Sequence, residues 1–170
     1  MKHPRILTAL FLSCAAASAI AADACCTIGD AGRMTGGGSI ICPGSAYRYT
    51  FGYELHCARE GKPISGPNNL EVNFNTGEHF HLTSLTRGFC TGPDATTPNA
   101  PFNNFYGTGV GTLNGQTASI WFNLIDNGEP GAGVDIAGFT IQTAAGNLLQ
   151  CSNTLEGGNN QAHRATGNKP

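Results

Sequence analysis

The sequence has 170 residues, a net charge of −2 and only 12% charged residues. It carries no basic stripe, which excludes nucleic acid as a partner class, and no run of apolar residues long enough to span a bilayer. Glycine is abundant, at 24 residues, without a collagen period, a composition that points to order built from strands and turns.

The start reads as an export signal. Lys2 and Arg5 precede an apolar run over residues 6–12, then small residues, with Ala19-Ile20-Ala21 as an A-x-A cleavage site. Residues 1–21 are therefore expected to leave, and the mature chain to reside in the periplasm or outside the cell. Phe11-Leu12-Ser13-Cys14 offers an alternative, an imperfect lipobox in which Cys14 carries a lipid anchor. Roughly 150 residues remain, enough for one domain with a real core.

Beyond Cys14, six cysteines are left: Cys25, Cys26, Cys42, Cys57, Cys90 and Cys151. An even count in an exported chain predicts three disulfides, with the pairing open. No C-x-x-C pair occurs, which argues against a zinc ribbon or redox motif. Cys25 and Cys26 would tie an N-terminal segment, residues 22–32, onto a β-domain over residues 33–156.

Strand periodicity dominates that domain. Over residues 46–57 the odd positions are Tyr47, Tyr49, Phe51, Tyr53, Leu55 and Cys57, against a mostly polar even set, which predicts a strand with one buried face. Residues 58–67 read as loop. Leu70, Val72 and Phe74 then alternate with polar neighbours. A three-residue loop at Thr76-Gly77-Glu78 would set Asn75 against His79, Phe74 against Phe80, Val72 against Leu82 and Asn73 against His81, with Glu71 diagonal to His81. Residues 91–104 contain Pro93, Pro98 and Pro101 and form a long connection.

Asn114-Gly115 is a strong hairpin signal. It sets Leu113 opposite Gln116, Gly111 opposite Ala118, Gly109 opposite Ile120 and Gly107 opposite Phe122, so bulky side chains lie over bare backbone. The other face pairs Thr108 with Trp121 and Tyr106 with Asn123. After the turn Asp126-Asn127-Gly128-Glu129-Pro130-Gly131, Phe139 and Ile141 point inward. Val134 and Ile136 have the opposite parity, which predicts a bulge at Gly138. A last hairpin through Ala145-Gly146-Asn147 leads into residues 148–155. The Gly/Asn-rich residues 157–170 read as a polar flexible tail. About eight strands and no helix predict an all-β fold: a single antiparallel β-sandwich or a flattened eight-stranded barrel with disulfides.

These residues resemble the post-choice-of-anchor-protein (post-COAP) domain of exported bacterial proteins. The resemblance rests on Thr35-Gly36-Gly37-Gly38-Ser39-Ile40, Thr50-Phe51-Gly52-Tyr53, the strand around residues 66–74, and Leu82-Thr83-Ser84-Leu85. Its most specific piece is Asp126-Asn127-Gly128-Glu129-Pro130-Gly131, and Leu155-Glu156-Gly157-Gly158-Asn159 closes it. It spans roughly residues 33–163. Asp135 lies four residues before Phe139, a looser spacing than the pattern, and the cysteines are additions to it. The resemblance implies a β-rich module on or outside the cell surface, and it brings no reaction and no catalytic residues.

Three groups are candidate sites. Asp126, Glu129 and Asp135 could present carboxylates to Ca²⁺, although their spacing is not that of an EF-hand and the turn dipeptides explain the segment without a metal. His79 and His81 share a strand face and could chelate a transition metal with Glu71, Glu54 or His56; a solvated polar face is the plainer alternative. Trp121 and Tyr106, if exposed, form an aromatic platform for a glycan or a partner protein; if buried, they belong to a second core. No G-x-S-x-G, Walker loop, H-E-x-x-H or dinucleotide fingerprint occurs, so no catalytic residue is nominated. The sequence therefore predicts a non-catalytic exported β-domain that acts as a binding or surface-display module and needs no cofactor. The alternatives are a periplasmic metal-binding protein or metal-dependent enzyme on the His79/His81 face, and a carbohydrate-binding module built on Trp121.

Overall fold

The computed structural model describes residues 31–58, 63–64, 66–96, 99–146 and 148–165. The signal segment, Cys14, Cys25 and Cys26 lie outside the described residues. The elements are β1 (Gly32–Ile41), β2 (Arg48–Cys57), β3 (Asn69–Phe74), β4 (His79–Thr91), β5 (Ala95–Thr96), β6 (Asn99–Ala100), β7 (Asn104–Leu113), β8 (Gln116–Ile125), β9 (Ile136–Thr143), β10 (Leu148–Thr154) and β11 (Gly157–Arg164). Nine of them form one antiparallel sheet in the order β10-β9-β8-β7-β4-β3-β2-β1-β11, and β5 pairs with β6 inside the proline-rich connection. The fold is all-β, as the alternation requires.

The sheet curls until its two ends meet. β10 and β11 are its opposite edges, yet only Leu155 and Glu156 separate them in the chain. The curl also brings Phe51 of β2 within 5.1 Å, ring centroid to centroid, of Phe139 of β9 across the interior. Tyr49, Phe51, Tyr53, Leu55, Leu70, Val72, Phe80, Leu82, Phe105, Ile120, Phe122, Leu124, Phe139 and Ile141 fill that interior. Burying each large apolar side chain contributes about 1.5–3 kcal/mol. Phe102, from the 91–104 connection, is wholly buried and lies against Gly32.

Among the described residues two disulfides pin the curl. Cys42, just beyond β1, joins Cys151 of β10 across a sequence separation of 109. It therefore ties the two ends of the sheet to each other. Cys57 joins Cys90 over the start of β3, binding β2 to β4 at a separation of 33. The third bridge expected from six cysteines would involve Cys25 and Cys26, which lie outside the described residues.

The Asn114-Gly115 hairpin has the predicted register throughout, from Leu113 opposite Gln116 to Tyr106 opposite Asn123. Both turn residues have positive φ, 50° and 79°, the conformation that a two-residue turn matching strand twist demands. Gly107 and Gly111 leave no room for a Cβ, since Phe122 covers the first and the His81 carbonyl crowds the second.

Three expectations are corrected. In the β3–β4 hairpin Glu71 faces His81, Val72 faces Phe80 and Asn73 faces His79, a register two residues from the predicted one. The cause is tertiary. Asn75 donates its N–H to Arg48 O, its carboxamide donates to Ala46 O and accepts from Arg48 N–H, so it serves β2 rather than His79. The even shift preserves which face is buried. β9 pairs with β8 without interruption, so there is no bulge at Gly138; Ala137 supplies the inward position. Bulges lie instead in β4, where its register against β7 slips between Leu82 and Ser84 and again between Leu85 and Arg87. Finally, residues 157–164 are not a fraying tail. They form β11, paired along its whole length with β1.

Candidate functional site

The acidic segment 126–135 turns out to close the fold. β11 is an edge strand, and its outward N–H groups need acceptors. The Asp135 carboxylate accepts the Asn160 N–H at 2.8 Å and the Asn127 N–H at 2.8 Å. The Asp126 carboxylate accepts the Ala162 N–H at 2.9 Å and the Gly128 N–H at 3.2 Å. Both aspartates are buried. The Asn160 carboxamide donates to Ile125 O and Ile136 O, each at 3.0 Å, and accepts the Tyr53 hydroxyl at 2.7 Å. Glu129 accepts the carboxamides of Asn159 and Gln161 at 2.8 and 2.9 Å. Two side-chain carboxylates thus do on β11 what a neighbouring strand would otherwise do.

Burial raises both aspartate pKa values, and the backbone N–H bonds oppose that shift. The Tyr53 hydroxyl is held well above its ordinary value, first by burial and then by the charges of Asp135 and Asp126. It stays protonated, which its role as donor to Asn160 requires. Gly131 has no space for a Cβ against Asp135 and Asn159. Asp126, Glu129 and Asp135 therefore have protein partners of their own.

The His79/His81 face is exposed. Glu71 pairs with both rings: one carboxylate oxygen contacts His81 Nδ1 and the other lies 2.9 Å from His79 Nε2. The Asn73 carboxamide holds the other nitrogen of His79 at 2.6 Å. His56 is turned away, its Nδ1 bonded to Pro67 O at 2.8 Å, and Glu54 pairs with Arg33 at 3.2 Å. Among the described residues no set of three or more His, Cys, Asp or Glu side chains is grouped to hold a metal ion.

The third candidate sits on the outer face of β4, β7, β8, β9 and β10. Strand pairing lines up two ranks of outward residues. One runs Phe89, Tyr106, Asn123, Gly138 and Ser152; the other runs Arg87, Thr108, Trp121, Thr140 and Gln150. Phe89, Tyr106 and Trp121 are 46%, 49% and 48% exposed, large values for aromatic side chains on a rigid sheet. Gly138 supplies no side chain between Asn123 and Ser152, so the middle of the face is hollow. The result is an open trough of about 470 Å³, a size within the usual range for small-ligand sites. Within it the Asn123 carboxamide oxygen is shut off from solvent and has no hydrogen-bond partner. Among the described residues Arg87 is the only charged one lining the trough.

No family model, curated protein or solved structure matches this chain.

Period-two alternation placed Trp121 and Tyr106 on this face. Phe89, Arg87 and Gly138 were not foreseen. The two bulges of β4 reset its alternation, so inward positions fall at Leu82, Leu85, Gly88 and Cys90 rather than at every second residue. Only pairing with β7 brings Arg87 and Phe89 beside Tyr106 and Trp121. Among the described residues no helix is long and apolar enough to cross a membrane.

Proposed function

We propose that this chain is a non-catalytic, exported binding module of the post-COAP type, and that the aromatic trough is its ligand site. One observation carries the reading: three half-exposed aromatic side chains flank a hollow on a cross-linked sheet, beside a carboxamide oxygen without a partner. Exposing such rings to water is unfavourable unless a ligand covers them. Leaving a shielded polar atom unpaired costs about 1–3 kcal/mol, which a ligand donor would recover. The leader-like start and the two disulfides support export, since such bridges persist in oxidising compartments.

The acidic hexapeptide and the closing Leu-x-Gly-Gly-Asn on which the resemblance rests lie side by side in the fold. Leu155 donates its N–H to Asp135 O and accepts the Gly133 N–H, and Asn159 reaches Glu129. The segment 126–135 and the closing Leu-x-Gly-Gly-Asn are then two halves of one closure, in which Asp126 and Glu129 accept from β11 and Gly131 leaves room for Asn159 and Asp135.

A fragment screen read by amide and indole NMR resonances tests the site. Hits should move the Trp121 indole N–H and the Asn123 side-chain amide together, and Trp121→Ala should abolish them. Hits that perturb neither signal would remove the trough as the binding site.

A further inference from the structure

We infer that the trough takes an acidic oligosaccharide, its sugar rings stacked on Trp121 and Tyr106 and a ring carboxylate held by Arg87. The inference rests on the trough being the ligand site and adds the chemistry of the ligand. A pyranose ring has an apolar C–H face and a rim of hydroxyls that both donate and accept. The trough offers the complement. Its flat apolar surfaces are Trp121, Tyr106 and Phe89, and its polar groups are the hydroxyls of Thr108, Thr140 and Ser152 and the carboxamides of Asn123 and Gln150. Hydroxyls and carboxamides also donate and accept, so each can meet a sugar hydroxyl in either role.

Charge selects within that class. Arg87 is exposed, and no ion pair joins it to another described residue. Among the described residues neither Asp nor Glu lines the trough. The guanidinium is therefore free to take a carboxylate through its planar fork. Arg87, Thr108 and Trp121 stand in one rank on adjacent strands, which separates Arg87 from Trp121 by two strand spacings, roughly 10 Å. That is about the reach of two linked rings, one stacked on Trp121 and the next bearing the acid.

Proline-rich peptides also dock in aromatic-lined grooves. The structure favours sugar over them. Proline offers no N–H to the unpartnered Asn123 oxygen and no carboxylate to Arg87, whereas an acidic sugar supplies a hydroxyl donor to the first, once the carboxamide turns toward it, and an anion to the second.

The test is isothermal titration of the mature, oxidised protein with a tetragalacturonate, a neutral cello-oligosaccharide of equal length and a proline-rich decapeptide. The uronide should bind about tenfold more tightly than the neutral chain, the scale of one charge-assisted contact. Arg87→Gln should erase that difference while leaving the melting temperature unchanged, and Trp121→Ala should abolish binding of both sugars. Equal affinity for charged and neutral chains, or an Arg87→Gln variant that keeps the preference, overturns the inference. Binding of the decapeptide alone, lost in Trp121→Ala, would refute the sugar yet leave the trough as the site. Absence of any titratable ligand, together with fragment hits that avoid Trp121, would remove both.

Discussion

Asp135→Ala tests how the curled sheet is sealed. Asp135 is fully buried and accepts the N–H groups of Asn127 and Asn160, both at 2.8 Å. Truncation strands both donors. The Asn160 N–H is deep in the seam and incurs the whole cost of an unmet buried donor, about 1–3 kcal/mol, while the Asn127 N–H lies nearer water and incurs less. Removing the carboxylate also relieves the desolvation that raises its pKa, which returns part of the loss. The expected net destabilisation is about 3 kcal/mol. For a domain of this size that lowers the melting temperature by roughly 6–12 °C. Urea unfolding with both disulfides intact measures it. The pH dependence gives a second reading with a definite sign. The native carboxyl titrates above the ordinary 3.8, so the folded state binds more protons than the unfolded chain just above that pH. The contribution of Asp135 is therefore greatest below pH 3.8 and declines as pH rises through the raised value. The penalty of Asp135→Ala should be larger in acid than at pH 7. A loss under about 0.5 kcal/mol would refute the idea that this carboxylate seals β11, and a penalty that shrinks in acid would show instead that its N–H bonds outweigh burial in setting its pKa.

Other consequences can be measured on the same material. Replacing both Cys42 and Cys151 by Ser should cost about 4.7 kcal/mol and replacing Cys57 and Cys90 about 3.7 kcal/mol, on the chain-entropy scale for separations of 109 and 33; urea midpoints in the reverse order would contradict the closure role of the first bridge. Gly111→Ala drives a Cβ against the His81 carbonyl and should cost about 1–3 kcal/mol, whereas Gly52→Ala meets open space and should stay within about 0.5 kcal/mol. Thermal melts that fail to separate these two variants would argue against the observed packing of β7 on β4. A chain ending at Glu156 lacks β11 and leaves Asp126 and Asp135 facing no strand. It should lose cooperative unfolding and its near-ultraviolet circular dichroism, and retention of both would show that β11 is dispensable.

What was legible in the sequence was local chemistry. Asn114-Gly115 fixes a turn of one hand, and from it the register of ten residue pairs follows, which puts Tyr106 and Trp121 on one face but leaves open whether that face is buried. Alternation likewise identified the buried faces of β2 and β3. What was hidden depended on partners far along the chain. Asn75 is claimed by Arg48 and Ala46, so the β3–β4 loop lengthens and Glu71 comes to face His81. The bulges of β4 break its period, which concealed Phe89 and Arg87. β11 reads as a polar tail because its stabilising groups, Asp126, Asp135, Glu129 and Tyr53, come from segments 25–107 residues away. A strand of Gly, Asn and Gln ordinarily lacks the apolar face that signals burial. Here one of its asparagines, Asn160, is wholly buried because all three of its side-chain bonds are met.

The trough is the heart of the functional reading, and the single tryptophan of the chain reports on it directly. Acrylamide quenching of Trp121 should be strong in the free protein and fall sharply when the tightest-binding oligosaccharide is added. A tryptophan that resists quenching without ligand, or one whose quenching does not change when the ligand is bound, would contradict the assignment of this face as the binding site.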